Sequence, residues 1–298
     1  VDGSSGDDRL IVDFTYENPI PSGGLFYDGG DDYDIMSFMG GSFYNIVYRA
    51  ESPHSGLIKF DGSVVEYRNI EPISDTTPAD NVTFEGTDDD DTIDIIDGNP
   101  IWDLQTLEIQ SKQFENISFA NKKNVIIDGI DGNDHFLINI TKPSTALVSL
   151  IIRGGNKMDT IEVLGGMTLP GIDILLEAEN IIVNDAVIEG KNINLTAEAT
   201  YGGINPFSDL TTKVELSKAQ LIASGNLQVN ANSIQQKPIV GNGILEVKKT
   251  ISKILVTDTV LSAGGNIAII AKALLDIELN GFLFDSPMEI TAAVADIL

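Results

Sequence analysis

The sequence predicts an all-β chain that folds as a right-handed parallel β-helix, a solenoid whose successive coils stack as parallel strands. Three observations lead to this fold class. Apolar and polar residues alternate with period two over many short segments, which is the β signal. A Gly- and Asp-rich turn precedes five of these segments, and its nearest copies are about one β-helix coil apart. Tandem β-sandwich domains are the alternative, because alternating strands with frequent turns also suit a sandwich.

The recurring turn has Gly at its first position, Asp at its sixth and an apolar residue at its eighth. Its copies begin at Gly3, Gly29, Gly86, Gly129 and Gly154. The sixth-position residues are Asp8, Asp34, Asp91, Asp134 and Asp159, separated by 26, 57, 43 and 25 residues. We interpret the separations of 26 and 25 as single coils and the two longer ones as two coils each. The stretch from Gly56, which alternates on both sides of an Asp-Gly turn, supplies the missing coil after Gly29.

The second half of the chain repeats a different unit, found at residues 181–199, 214–233 and 254–273. Each copy reads as two short strands, a turn, and an Asn followed by alternating residues. We expect the aliphatic side chains to stack inward. We expect the asparagines of the three copies to hydrogen-bond from coil to coil: Asn192, Asn226 and Asn266. The chain therefore divides into acidic coils over residues 1–165 and aliphatic coils over 166–298, the second continuous with the first.

Acidic residues dominate the chain and restrict its partners. The formal net charge is −27, and residues 1–165 hold 30 of the 45 acidic residues against 10 of the 18 basic ones. Nucleic acid and acidic membrane surfaces are therefore poor partners, whereas hard cations are favoured. The lack of cysteine excludes disulfides and thiolate chemistry. No apolar run has the length of a membrane helix, and the start at Val1 leads us to expect a piece of a longer protein.

The turns offer oxygen ligands of the kind that calcium prefers. Calcium takes six to eight oxygens from carboxylates and carbonyls, and Gly-rich turns can point several carbonyls inward. Stacked turns about 4.8 Å apart would place an ion between two aspartates. The best pairs, one coil apart, are Asp8 with Asp34 and Asp134 with Asp159. Further candidate ligands are Asp91, Asp28, Asp31 and Asp131, followed by Asp88, Asp89 and Asp90.

Two other interpretations of these turns stay open. Asp and Gly also form ordinary solvated turns that bind no ion. In the last copy, Lys157 stands at the fourth position, where its ammonium group could replace an ion between Asp134 and Asp159.

The five turns resemble the calcium-binding nonapeptides of RTX proteins, a group of secreted bacterial proteins, with the form G-G-x-G-x-D-x-U-x and U a large apolar residue. "GIDGNDHFL" and "GSSGDDRLI" keep Gly at positions one and four, whereas "GGDDYDIMS", "GTDDDDTID" and "GGNKMDTIE" lose the fourth-position glycine. "GSVVEYRNIEPI" resembles an element of very large bacterial surface proteins, and the second half resembles the haemagglutinin-type β-helix of secreted adhesins. The resemblance implies a secreted, non-catalytic structural or adhesive module of a cell-surface or extracellular-matrix protein, rigidified by calcium.

A glycan-binding or glycan-degrading β-helix is the alternative function. It would need a cleft lined by Trp102 or by clustered tyrosines, with a carboxylate pair at a fixed separation. The two histidines, His54 and His135, are isolated in sequence, and we expect them to be ordinary surface or core residues, with His135 pointing outward. We therefore expect no enzyme. Self-association end to end into filaments is a third possibility, because open coil ends expose unpaired strand edges.

Overall fold

The computed structural model describes residues 1–201, 210–235, 250–275 and 294–297. These residues form strands and turns, and no helix occurs among them. The β class predicted from the alternation is therefore confirmed. The described strands are β1 (Arg9–Asp13), β2 (Leu25–Asp28), β3 (Ile35–Met39), β4 (Phe43–Ser52), β5 (Ser55–Phe60), β6 (Ser63–Arg68), β7 (Ile73–Asp75), β8 (Ala79–Glu85), β9 (Thr92–Asp97), β10 (Leu107–Ser111), β11 (Ile117–Phe119), β12 (Lys122–Asp128), β13 (His135–Ile140), β14 (Ser149–Arg153), β15 (Thr160–Thr168), β16 (Asp173–Ala178), β17 (Asn180–Asn184), β18 (Val187–Gly190), β19 (Ile193–Tyr201), β20 (Leu210–Ser217), β21 (Gln220–Ala223), β22 (Leu227–Gln235), β23 (Thr250–Thr257), β24 (Val260–Ala263), β25 (Ile267–Leu275) and β26 (Val294–Ile297).

The strands form two sheets that are mostly parallel. Sheet I has 15 strands in the order β1-β3-β7-β11-β10-β9-β13-β15-β17-β20-β23-β26, with β18, β21 and β24 continuing beside it. Sheet II has 11 strands in the order β2-β6-β5-β4-β8-β12-β14-β16-β19-β22-β25. Four described pairs are antiparallel, namely β4–β5, β5–β6, β9–β10 and β10–β11, and the other described pairs are parallel. Such parallel pairing differs from the antiparallel sheets of an immunoglobulin-type sandwich.

Aliphatic residues stack along both sheets, as the alternation predicts. The parallel register of sheet II places four residues that are at most 3% exposed one above the next: Val125, Leu150, Ile174 and Ile193. The corresponding stack in sheet I is fully buried and consists of Ile161, Ile181, Val214 and Ile254. In both stacks the apolar side chains of one strand cover those of the next strand and so bury them.

The predicted asparagine contacts between coils are present. The backbone N–H of Asn226 donates to Oδ1 of Asn192 at 2.9 Å, and the N–H of Asn266 donates to Oδ1 of Asn226 at 3.0 Å. These bonds satisfy backbone donors at turns, where the sheet ladder cannot reach.

Two sequence expectations about spacing are wrong. The separation of 43 residues between Asp91 and Asp134 is one step of sheet I, because β9 pairs directly with β13. The β10–β11 hairpin lengthens this step without adding a coil between the two aspartates. The separation of 57 between Asp34 and Asp91 does contain two steps, as expected, because the chain returns to sheet I at β7 before it reaches β9. The stretch from Gly56 is not a parallel coil but the antiparallel hairpin of β5 and β6.

A polar cluster lies inside the apolar core, where β12 packs beside the residues that link β7 and β8. The ammonium of Lys122 is fully buried and lies 2.9 Å from Oδ1 of Asp75. Asp75 is also fully buried and accepts hydrogen bonds from the hydroxyls of Tyr48 and Thr77. Burial lowers the pKa of Lys122, and the carboxylate of Asp75 works against that shift. The buried charge is thus held by a specific partner set.

Sheet I crosses the expected boundary between the two halves, because β15 begins at Thr160 and ends at Thr168. Within the described ranges, no helix has the length and hydropathy that crossing a membrane would require.

Candidate functional site

The sixth-position aspartates stack at one edge of sheet I, and we call them the acidic ladder: Asp8, Asp34, Asp91, Asp134 and Asp159. Each aspartate is the residue directly before a strand of sheet I, and these strands are β1, β3, β9, β13 and β15. Since these strands pair in parallel register, equivalent aspartates come to lie one coil apart. Asp8 stands beside Asp34, and Asp91, Asp134 and Asp159 form a second run. The pairs predicted from spacing are thus brought together, and Asp91 joins Asp134 as an unpredicted third pair.

Every contact in the ladder uses the same hydrogen bond. The backbone N–H of Asp134 donates to Oδ1 of Asp159 at 2.8 Å. Asp8 donates to Asp34, and Asp91 to Asp134, at the same distance. The N–H of Asp159 donates to Oε2 of Glu179 at 2.9 Å, so Glu179 ends the run. Four carboxylates, those of Asp34, Asp134, Asp159 and Glu179, therefore use one oxygen to accept a backbone N–H from the neighbouring strand's turn.

Beyond Glu179 the same edge of the sheet becomes uncharged. Register places Thr212 beside Glu179 and Ser252 beside Thr212, and both hydroxyl side chains are fully buried. The hydroxyl of Thr212 lies 2.8 Å from that of Ser233, which lies 3.0 Å from that of Ser252. Hydroxyls can both donate and accept, so this part of the column is satisfied internally and needs no cation.

Two features explain why glycine recurs in the turn: the close approach of the aspartate carboxylate at the first position, and positive φ angles at the second and fourth positions. At the first position, a Cβ would stand 2.1 Å from Oδ2 of the same turn's aspartate at Gly129 and 2.4 Å from it at Gly154. The second and fourth positions have positive φ in four of the five copies. These are Ser4, Gly30, Ile130 and Gly155 at the second, and Gly6, Asp32, Gly132 and Lys157 at the fourth. Glycine adopts such angles without steric cost, which accounts for its place in the pattern.

Three ladder carboxylates carry a buried oxygen that has no partner. Oδ2 of Asp34, Asp134 and Asp159 makes no hydrogen bond within the part of the chain that the structure describes, and these side chains are at most 1% exposed. A backbone carbonyl lies beside two of them. Oδ2 of Asp134 and the carbonyl oxygen of Gly154 are 2.1 and 2.3 Å from the point where a Cβ on Gly129 would stand. Oδ2 of Asp34 and the carbonyl oxygen of Asn69 are likewise 2.5 and 2.0 Å from the corresponding point on Gly29. Acceptors without a donor are costly when buried, and they call for a cation or a proton.

The charge state of the ladder reflects this arrangement. In the metal-free protein, burial, with smaller contributions from neighbouring carboxylates, raises the pKa of Asp134 to about 7 and that of Asp159 to about 6. Burial likewise raises the pKa of Glu179 to about 7. The hydrogen bonds from backbone N–H groups act in the opposite direction but do not cancel the burial. Asp134 and Asp159 therefore retain protons to higher pH than an exposed aspartate does, unless a cation takes the place of the proton.

The third copy of the turn differs from the others. Both oxygens of Asp91 are used, because Oδ2 accepts from the backbone N–H of Thr87 at 2.7 Å and the hydroxyl of Thr87 lies 3.1 Å from both Oδ1 and Oδ2. Burial still raises the pKa of Asp91, while the bonds from Thr87 lower it. Asp91 is therefore part of the ladder but leaves no oxygen free for an ion.

The secondary candidate ligands lie outside the ladder. Asp28 pairs with Arg68, whose Nη2 is 2.5 Å from Oδ2, and this pair lowers the pKa of Asp28. Oδ1 of Asp131 lies 3.2 Å from Nζ of Lys157, and both side chains are about half exposed. Lys157 thus binds Asp131 at the surface and not Asp134 or Asp159. The remaining secondary candidates are exposed: Asp31, Asp88, Asp89 and Asp90.

A second cluster of charged groups lies at a different edge, and the sequence interpretation missed it. Nδ1 of His54 is 3.0 Å from Oε1 of Glu71 and 3.5 Å from Oε2 of Glu115. Glu115 is 5% exposed, and burial raises its pKa to about 8, with Glu71 adding to the shift. These residues have no common spacing in sequence. In the structure, β7 pairs with β11 so that Ile73 lies beside Ile117. Each glutamate is two residues before one of these isoleucines, so predicting their proximity would have required this strand register.

This cluster lines a cleft of about 570 Å³. Tyr33, Glu108 and Lys112 are also among the lining residues, whereas Trp102 is not. Trp102 is exposed elsewhere on the surface. The second histidine, His135, is partly exposed and lies 3.4 Å from Glu162 on the outward face, where it was expected.

The comparisons with known proteins found no similarity: no protein family, curated protein or solved structure matches this chain. The function is therefore argued from the geometry alone.

Proposed function

We propose that this chain is a calcium-rigidified, non-catalytic module of a secreted bacterial surface or extracellular-matrix protein. The observation that carries the proposal is the set of buried, partnerless oxygens on Asp34, Asp134 and Asp159. Each lies in a turn whose glycines leave room for the carboxylate, next to an equivalent turn one coil away.

Calcium suits these turns better than the other small cations. It accepts many oxygen ligands at variable angles, whereas magnesium demands near-ideal octahedral geometry and retains its waters. The candidate ligands are carboxylate and backbone carbonyl oxygens, which are hard donors. An ion would replace the proton that burial otherwise imposes on Asp134 and Asp159, and would relieve the repulsion between them. We infer one site between Asp8 and Asp34 and another between Asp134 and Asp159.

The arrangement of strands supports a parallel β-helix as the fold that carries these sites. From β12 to β25 the chain alternates between sheet II and sheet I, and successive visits to the same sheet pair in parallel. Parallel strands joined by such crossovers are right-handed in almost all proteins, so we infer a right-handed solenoid. Stacked coils of this kind form an extended rod suited to a stalk or an adhesive surface.

The proposed mechanism is mechanical and depends on the calcium concentration. An ion that binds the folded turns but not the unfolded chain stabilises the fold by about 2.7 kcal/mol per site when its concentration is 100 times the dissociation constant. Calcium is plentiful outside cells and scarce inside them. Coils of this chain would therefore be loose before secretion and rigid after it.

The test is thermal unfolding of the whole chain, followed by circular dichroism, in calcium, in magnesium and in a calcium chelator. We expect calcium, and not magnesium, to raise the Tm. Asp159→Asn keeps the oxygen that caps Asp134 but removes the charge, so it should reduce the calcium-induced shift. Adding Asp34→Asn should abolish the shift, because both proposed sites are then disabled.

Asp94→Asn is the matched control. Asp94 lies in the middle of β9, opposite Leu137, so the variant makes the same charge change away from the turns. It should retain the full calcium shift. Equal Tm values in calcium and chelator for the unmodified chain would overturn the proposal, as would an undiminished shift in the double variant.

A further inference from the structure

We propose that His54, Glu71 and Glu115 bind a divalent transition-metal ion of the zinc class at the side of the cleft. This site is separate from the acidic ladder and goes beyond the calcium proposal. Its ligands come from three connections: the turn between β4 and β5, the segment before β7, and the segment before β11.

The geometry of the three side chains fits a metal of this size. One ligand atom from each residue can be chosen so that all three lie within 4.8 Å of one another. Two ligands on a tetrahedral zinc ion are about 3.4 Å apart, given metal–ligand distances near 2.1 Å. The distances from Nδ1 of His54 to the two carboxylates, 3.0 and 3.5 Å, bracket that value. Small side-chain rotations would therefore complete the coordination.

Burial without a countercharge independently points to a missing cation. Oε1 of Glu115 accepts from the N–H of Asn116, but Oε2 faces only the imidazole of His54. Within the described ranges, no lysine or arginine forms an ion pair with Glu71 or Glu115. Lys112 lines the cleft without pairing to either. Two adjacent carboxylates, one of them almost fully buried, are unfavourable without a positive charge between them.

The ligand types select the class of metal. Imidazole nitrogen suits zinc, nickel, cobalt and copper, whereas calcium and magnesium take oxygen ligands. Three protein ligands leave a fourth coordination position open, and all three ligand residues line the cleft, which gives an outside ligand access to them. A bound ion would also join three connections that are far apart in sequence, and so fix the irregular first third of the chain.

The experiment is a zinc titration of the whole chain by isothermal calorimetry, with saturating calcium present throughout. We expect one equivalent of zinc to bind, and cobalt substituted at the site to give the visible absorption of a tetrahedral ion. His54→Ala should remove both signals. His54 is an exposed turn residue, so this variant is expected to fold, and circular dichroism would check that it does. Glu115→Gln should weaken zinc binding at least tenfold.

Two controls separate this site from other binding. His135→Ala removes the other histidine, which also contacts a glutamate, and should leave zinc binding unchanged. Asp159→Asn should reduce the calcium response and leave the zinc response unchanged, so failure of one proposal does not imply failure of the other. Absence of zinc binding, or full binding by His54→Ala, would overturn the assignment.

Discussion

The backbone N–H of Asp134 donates to Oδ1 of Asp159 at 2.8 Å, and the second oxygen of each of these carboxylates is buried without a partner among the residues that the structure describes. The two functions of an aspartate in this ladder are therefore separate. One oxygen holds the adjacent coil in register, and the other is available to a proton or a metal ion. Occupancy of the second oxygen then sets the stability of the stack.

The first prediction concerns pH in metal-free buffer. Burial raises the pKa of Asp134 to about 7 and that of Glu179 to about 7, above the values of the unfolded chain near 4. The folded state therefore binds more protons than the unfolded state between these values. The free energy of unfolding should be high near pH 4.5 and fall as the pH rises through 7. Urea unfolding at a series of pH values measures this dependence of the free energy of unfolding on pH.

Calcium provides the control for this prediction. Saturating calcium should flatten the decrease between pH 5 and 7, because the ion stabilises the ionised carboxylates. Asp134→Asn should make the decrease smaller in metal-free buffer, since the amide does not titrate whereas Glu179 still does. Stability that increases from pH 5 to pH 8 in the metal-free protein would contradict the buried, ionisable ladder.

The second prediction tests the first-position glycine. A Cβ on Gly129 would lie 2.1 Å from Oδ2 of Asp134 and 2.3 Å from the carbonyl oxygen of Gly154. Gly129→Ala should therefore destabilise the protein by about 1–3 kcal/mol, the usual cost of overpacking, and reduce calcium affinity. Chemical unfolding in calcium and in chelator gives both values.

Gly62→Ala is the matched control, because no atom lies within 4 Å of the Cβ that this substitution adds. It should change the free energy of unfolding by no more than about 0.5 kcal/mol and leave calcium affinity unchanged. If the two alanine variants have the same stability, close packing against the carboxylate is not the reason for glycine at the first position of the turn.

The third prediction concerns the backbone strain at Lys157. This residue has φ of 83°, at the position where two other copies have glycine. Lys157→Gly should relieve the strain, whereas Lys157→Ala keeps it, and both remove the exposed ion pair with Asp131. The glycine variant should be the more stable by about 1 kcal/mol in urea unfolding. An alanine variant of equal or greater stability would show that this turn is not strained.

The sequence predicts those contacts that depend on one regular step. Asp134 and Asp159 are 25 residues apart, and no inserted hairpin interrupts that step, so spacing alone identifies the pair. The asparagine contacts of the second half are predicted by aligning the repeated unit itself, because the asparagine has the same place in each copy. Asp91 and Asp134 were not paired because the β10–β11 hairpin lengthens the connection, and spacing cannot distinguish an inserted hairpin from another coil.

The cluster of His54, Glu71 and Glu115 could not be predicted for a different reason. Its members come from three irregular connections, and the pairing of β7 with β11 brings two of these connections together. No local pattern marks them, because none is part of a repeat. The neighbours of a residue in a repeat can be predicted from the repeat spacing. The neighbours of a residue in an insertion depend on the tertiary fold, which the spacing does not reveal.

The last prediction concerns the buried ion pair. Lys122 and Asp75 are fully buried with Nζ and Oδ1 2.9 Å apart, and Nζ also lies 2.9 Å from the hydroxyl of Thr77. Lys122→Met keeps much of the volume but leaves the carboxylate without its cation. It should cost about 3–5 kcal/mol in the free energy of unfolding. Urea unfolding at neutral pH measures this loss.

The neighbouring residue offers the control for that substitution. Lys123 and Asp80 form a pair of similar length, 2.7 Å, but both side chains are about half exposed. Because water screens this pair, Lys123→Met should cost no more than about 1 kcal/mol. Adding Asp75→Asn to Lys122→Met should recover part of the lost stability, since the buried charge is then gone. Equal costs for the two lysine variants, or no recovery in the double variant, would show that desolvation of Asp75 does not dominate the energetics of this cluster.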